Sequence, residues 1–219
     1  MTCQPANIKY PAFKALDGKR VVLASSSPRR ISLFNRMGLI FDVKPSKWEE
    51  DLDKSAYPSP INYCQATCLK KGQIVRDLTI NDPIAPSLIV SSDTVVLCEG
   101  QVYEKPVDHA DAVRMLLHFR GKTIQPVSAV SILYRVAPGV YKERSFVEET
   151  LMHMEESYDQ DMIQAYLETG EGMDMSGAFS YLGAGFLMIK GITGCFYNTI
   201  GFPCSRFYKE FAQISEMIV

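Results

Sequence analysis

Residues 21–30 read Val21-Val22-Leu23-Ala24-Ser25-Ser26-Ser27-Pro28-Arg29-Arg30. Four apolar residues run straight into three hydroxyls, a proline and two cations. The apolar part predicts a buried strand over 21–25. Ser27 is a residue type that caps helices, Pro28 suits the first helical position, and Gly38 supplies a C-terminal stop. Between them Ile31, Phe34 and Met37 recur at helical spacing. A helix that begins at Pro28 offers unpaired backbone N–H groups and the positive end of its dipole, which together bind phosphate readily. Ser25, Ser26 and Ser27 can add hydrogen bonds. Arg29 and Arg30 lie in the first turn, where the dipole disfavours cations. They call for an anion, either a phosphate ligand or a carboxylate of the chain itself.

Working outward, strand-like and helix-like patterns alternate. Residues 39–45 read as a strand and 60–78 as a long helix. After a loop over 81–87, residues 88–97 read as a second buried strand, broken at Ser91-Ser92-Asp93. Residues 108–119 are helical. Two long extended stretches, 124–134 and 140–154, are joined by a turn-like Val-Ala-Pro-Gly and predict an antiparallel pair. Residues 158–168 read as a helix and 185–192 as a strand. Residues 203–214 read as a last helix, whose Phe207, Phe211 and Ile214 share a face that suits either a core or an interface. The class is α/β, with one compact unit of two lobes.

The chain has 219 residues, 47% of them hydrophobic, and a net charge of -2. That balance argues against a broad basic surface for nucleic acid. No apolar run approaches the roughly 20 residues of a membrane helix, and residues 1–20 lack a signal-peptide core. Neither nucleic acid nor membrane is expected as a partner, and a cytoplasmic location is. The six cysteines form no Cys-x-x-Cys pair. Cys64 and Cys68 share a helix face with no ligand near in sequence to complete a zinc site, so all six are read as reduced packing residues. His109, His118 and His153 are scattered and read as surface or helix-end residues.

Three further polar features interrupt the apolar pattern. Asp93 breaks a run that otherwise belongs in the core, so it needs a partner or a metal; it is a structural cap, a metal ligand or a base. Lys105 in Glu104-Lys105-Pro106 precedes a helix. Glu49-Glu50-Asp51 follows Trp48 and is either a wet face or the complement of a cation site with Asp93. Lys70 and Lys71 alone read as surface lysines.

Taken in order, Ser-Ser-Ser-Pro-Arg-Arg (25–30), the Trp48 acidic segment (45–51), LKKGQIV (69–75), SSDTVV (91–96), EKP (104–106), FRGKT (119–123), MSGAF (175–179) and NTIGFP (198–203) resemble the Maf family of nucleoside triphosphate pyrophosphatases. The resemblance runs over roughly residues 20–211. It implies a mixed twisted sheet with flanking helices in two lobes around a central cleft, as in the inosine triphosphate pyrophosphatases. It implies an N-terminal extension over 1–19 and a single domain over 20–219. The Gly-Lys-Thr at 121–123 is not a P-loop, since Leu116 stands where that motif has its first glycine.

By resemblance, Ser25 and Arg29 bind the triphosphate, and Lys71 and Lys105 face the substrate as binding and catalytic cations. Asp93 is the central acid, a metal ligand or an activator of water. Glu49 or Glu50 is a second metal ligand. The implied reaction is attack of water on the α-phosphorus, releasing a nucleoside monophosphate and pyrophosphate, with Mg²⁺, Mn²⁺ or Co²⁺. The expected substrates are pyrimidine or modified nucleotides of the dTTP and UTP type. The alternatives are a 7-methyl-GTP pyrophosphatase, a nucleotide-binding protein without turnover, and a phosphatase that releases orthophosphate. A homodimer is expected from the family. Three positions depart from the family pattern: Ile124 where many members have histidine, Met175 where many have lysine, and Leu182 where glutamine or glutamate is common. Leucine offers a base neither a hydrogen bond nor a charge, so relaxed or altered base preference follows.

Overall fold

The structure is a computed structural model and describes residues 10–219. Cys3 and the first half of the expected extension lie outside those residues. In chain order the elements are β1 (Val21–Leu23), α1 (Pro28–Arg36), β2 (Asp42–Val43), α2 (Pro60–Thr79), β3 (Leu88–Cys98), β4 (Gln101–Tyr103), α3 (His109–Phe119), β5 (Thr123–Ala137), β6 (Val140–Glu149), β7 (Leu151–Met154), α4 (Gln160–Glu168), β8 (Ile189–Thr193), α5 (Phe196–Thr199) and α6 (Cys204–Ala212). Short 3-10 turns lie between several of them. The architecture is mixed α/β, a mixed sheet with flanking helices.

The chain divides into two compact units. The first holds residues 10–93, 129–147 and 201–219. Here β1 runs parallel to β2, with Val22 opposite Asp42, and parallel to β3, with Val22 opposite Ile89. β5 follows β3, and β6 lies beside β5. Val22, Ala24, Val75, Ile89 and Leu133 form one buried cluster. A second is aromatic: Phe34 meets Phe202 at 5.0 Å between ring centroids, Phe202 meets Phe207 at 5.1 Å, and Phe13 meets Phe211 at 5.3 Å. Phe207, Phe211 and Ile214 are buried in this unit, so that face of α6 is core. Residues 11–16, read as part of an extension, form a 3-10 turn whose Phe13 belongs to the same core.

The second unit holds residues 94–128 and 148–200. β4 folds back antiparallel on β3, with Val96 opposite Tyr103. β7 runs antiparallel to β5, and β8 antiparallel to β7 with a bulge at His153 and Met154. Its core gathers Leu116 and Phe119 of α3, Ile124, Met152, Met154, Ile163, Tyr166 and Phe179. Ile124 is therefore a packing residue.

Three expectations need correction. β3 is unbroken through Ser91, Ser92 and Asp93. The buried Ser91 hydroxyl donates to the Cys68 carbonyl at 2.8 Å, which satisfies it without a break in the ladder. The strand over 39–45 shrinks to two exposed residues, 42 and 43, at the sheet edge. Residues 185–188, expected as the start of the strand over 185–192, lie in a 3-10 turn that runs from 184 to 188, and only 189–192 of that stretch are strand. Among the described residues no helix is long and apolar enough to cross a membrane.

Candidate active site

The strand–helix junction of 21–30 forms, with a strand two residues shorter than the 21–25 expected. β1 ends at Leu23, α1 begins at Pro28, and Ser27 occupies the cap position. The Ser27 side chain makes no cap hydrogen bond. Its backbone N–H instead donates to the buried Ser25 hydroxyl at 3.2 Å, which turns the chain between strand and helix. Arg30 reaches across that turn. Its Nε donates to the Gly201 carbonyl at 2.9 Å and its guanidinium lies 3.4 Å from the Ser25 hydroxyl. Desolvation pulls the Arg30 guanidinium below its ordinary value, and the field of Asp93 opposes that. Part of the anion that the two arginines call for is thus supplied by the chain. Arg29 lies half-exposed beside it in the first turn.

The centre of the unit is Lys71. Its ammonium lies 2.7 Å from Asp93 Oδ1 and 2.6 Å from Glu50 Oε1. The Lys71 and Asp93 side chains are each only 15% exposed, whereas Glu50 is 46% exposed. Burial alone would lower the Lys71 pKa, but Asp93 and then Glu50 outweigh it, so the group is held above its ordinary value and stays charged. A lysine on a 20-residue helix reaches this position because Gly72 lets α2 lie close on the sheet. A Cβ at Gly72 would sit 2.5 Å from Leu133 Cδ1 and 2.8 Å from the Ser91 hydroxyl.

Of the two glutamates, Glu50 meets Lys71, while Glu49 is exposed. Trp48 is half-buried and its indole N–H donates to Asp51 at 2.8 Å. Glu50, Lys71 and Asp93 thus come together, and Ser25 comes together with Arg30. Lys105 is exposed and belongs to the second unit, in the loop before α3. That loop is tied within its unit by the Gly177 N–H, which donates to the Glu104 carbonyl at 3.0 Å. The Ser176 hydroxyl donates to the Thr94 carbonyl at 3.2 Å. Leu182 is 61% exposed.

Cys64 and Cys68, read from the sequence as packing residues on one helix face, are buried and reduced, and what the sequence did not show is that both neighbour Asp93. Cys64 is fully buried, and its thiol is pushed far up by burial, with the charge of Asp93 adding to the rise. Cys68 is pushed up to about 11 by burial. Both thiols are therefore protonated at neutral pH and act as small packing groups. The signal was present: Cys64, Cys68 and Lys71 stand at i, i+4 and i+7, one face of α2. Arg30, carried forward only as a companion of Arg29, is the arginine tied to Ser25.

Two carboxylates on one buried ammonium, next to a strand–helix turn rich in N–H groups and arginine, define a mixed α/β protein with a site suited to polyanions and hard cations. The chain belongs to the Maf-like protein family, whose model matches residues 20–214. A human protein described as a probable bifunctional dTTP/UTP pyrophosphatase/methyltransferase is 33% identical over 208 residues, covering 93% of this chain. This chain spans only 33% of that relative's length. A dTTP/UTP pyrophosphatase of Schizosaccharomyces pombe is 34% identical, over 93% of this chain and 87% of its own. One of Moorella thermoacetica is 35% identical, over 84% and 89%. The solved Ham1 protein of Staphylococcus aureus aligns with 63% of this chain and 73% of its own at 13% identity, with a TM-score of 0.40. That likeness is too low to carry an argument.

Proposed function

We propose that this chain is a nucleoside triphosphate pyrophosphatase acting on pyrimidine nucleotides of the dTTP and UTP type. The observation that carries the reading is Lys71 held between Asp93 and Glu50 at 2.7 and 2.6 Å. The fission-yeast and Moorella relatives, both dTTP/UTP pyrophosphatases by name, support the substrate class.

In this reading water forms a bond to the α-phosphorus as the bond from that phosphorus to the oxygen bridging the β-phosphate breaks. Pyrophosphate leaves, and the water's proton passes to a carboxylate, with Asp93 the candidate. Ser25, Arg29 and the first turn of α1 hold phosphate oxygens, and Lys71 adds positive charge as the leaving group takes up negative charge. The family resemblance adds Lys105 to the reading as a further substrate cation. Asp93 and Glu50, with Glu49 adjacent, fit a hard divalent ion, because their oxygens already converge on one cationic point. Such an ion, Mg²⁺, Mn²⁺ or Co²⁺, would neutralise phosphate oxygens when bound. Residues 20–219 acting as one domain, a homodimer, and a cytoplasmic location belong to the same reading.

The test is pyrophosphate release from dTTP, UTP, CTP, 5-methyl-UTP and 7-methyl-GTP with each of the three ions. Asp93→Asn should lose about 10²–10⁴-fold. Turnover of 7-methyl-GTP alone would move the substrate class. Orthophosphate as product, or tight binding without turnover, would sink the reading.

A further inference from the structure

The turn between β3 and β4 carries a residue at odds with its backbone. Cys98 is paired with Gln101 across the two-residue loop Glu99-Gly100. Both loop residues have positive φ, 50° and 79°. Such a turn favours Asn-Gly or Gly-Gly, and a glutamate is held there at a cost. The turn brings its side chain against the end of α3. There the Cys98 sulfur, a Glu99 carboxylate oxygen and a His118 ring nitrogen all lie within 4.8 Å of one another. The His118 ring is oriented by stacking on Tyr103, at 5.5 Å between centroids and 22° between planes, and Tyr103 is itself buried against Phe119. Glu99 Oε2 lies 3.2 Å from His118 Nε2. The Lys122 ammonium lies 2.8 Å from Glu99 Oε2 and 3.2 Å and 3.4 Å from the two ring nitrogens. The point on which carboxylate and imidazole converge already holds a cation, and its side chain is 34% exposed, free to swing into water.

We propose that Cys98, Glu99 and His118 form a binding site for a borderline-soft divalent ion of the Zn²⁺ class, entered by displacement of the Lys122 ammonium. One thiolate, one imidazole and one carboxylate suit Zn²⁺ or Co²⁺ and disfavour Mg²⁺, and three protein ligands leave a fourth position for water. The donor set differs in kind from the oxygen-only pair of Asp93 and Glu50. On binding, the sulfur–metal bond forms as the Cys98 thiol releases its proton to solvent. His118 enters neutral, and Lys122 keeps its proton as it withdraws. The ion pins the β3–β4 turn to the last turn of α3. The spacing of Cys98 and His118 along the chain hides the pairing from any sequence motif.

The experiment is a Co²⁺ titration of the full chain followed by absorbance, with Zn²⁺ as competitor. A thiolate-to-cobalt band saturating at one equivalent and abolished by Zn²⁺ is expected. C98S should remove the band, and H118Q should weaken binding by about tenfold or more. K122M should tighten it, since the competing ammonium is gone. Asp93→Asn should leave the band in place, which separates this site from the proposed active site. Absence of the band in both the wild type and K122M, or a band that survives C98S, overturns the proposal. Unchanged affinity in H118Q, a change at a partly buried site, does the same.

Discussion

At the residue scale the decisive group is Lys71. Its ammonium is charged because two carboxylates outweigh its burial. A group whose folded pKa lies above its unfolded value stabilises fully below the unfolded value, here near 10.5, and loses that contribution as pH rises through the folded one. Lys71→Met should therefore lower stability at neutral pH by about 1–3 kcal/mol, because it leaves Asp93 buried without its cation. Urea denaturation at a series of pH values checks this. The gap between wild type and variant should hold across neutral pH and narrow only on the alkaline side. Glu210 gives the opposite sign. It is buried between Arg144 and Arg206, with Arg206 Nε 2.6 Å from its Oε1. Burial would raise its pKa, but the two guanidiniums hold it below its ordinary 4.5. Its contribution is present above that value and is lost as pH falls through the lower folded one. Glu210→Gln should remove part of the acid sensitivity of unfolding below about pH 4.5.

At the element scale the close approach of α2 to the sheet sets where Lys71 lies. Alanine at Gly72 would regain about 1 kcal/mol of helix propensity. Against that, overpacking costs about 1–3 kcal/mol. The Ser91 hydroxyl that a Cβ would strike is anchored to the Cys68 carbonyl of the same helix, so the clash is not relieved by a free rotor. Gly72→Ala should lose about 1 kcal/mol net in denaturant melts and reduce pyrophosphate release, while Gly191→Ala, where a Cβ meets nothing within 4 Å and the backbone is ordinary, should leave turnover unchanged. Most elements were legible in the chain. Pro28 and Gly38 bracket α1, Ser59 and Pro60 open α2, and Asp108 and Asp159 cap α3 and α4 through their side chains. The unbroken β3 was not. Serine and aspartate disfavour a buried strand locally, and partners far away in the chain, on α2 for Ser91 and Asp93 and at Gly201 for Ser92, make it tolerable there.

At the scale of the whole molecule the first unit is closed by segments from the start, middle and end of the chain. Phe13, Phe34, Phe202, Phe207 and Phe211 form its aromatic core. Phe207→Ala should cost about 3–5 kcal/mol, seen as a lower urea midpoint with an unchanged slope. Sequence alone determined the α/β alternation, the strand–helix junction at 21–30, and the family, because each is written in local periodicity, caps and contiguous motifs. Tertiary structure decided the rest. It chose Glu50 over Glu49 for Lys71, tied Arg30 to Ser25, buried Cys64 beside Asp93, put the apolar face of α6 into a core, and set Cys98 beside His118. These depend on which side chains meet across elements far apart in the chain, and that is fixed by packing and not by spacing.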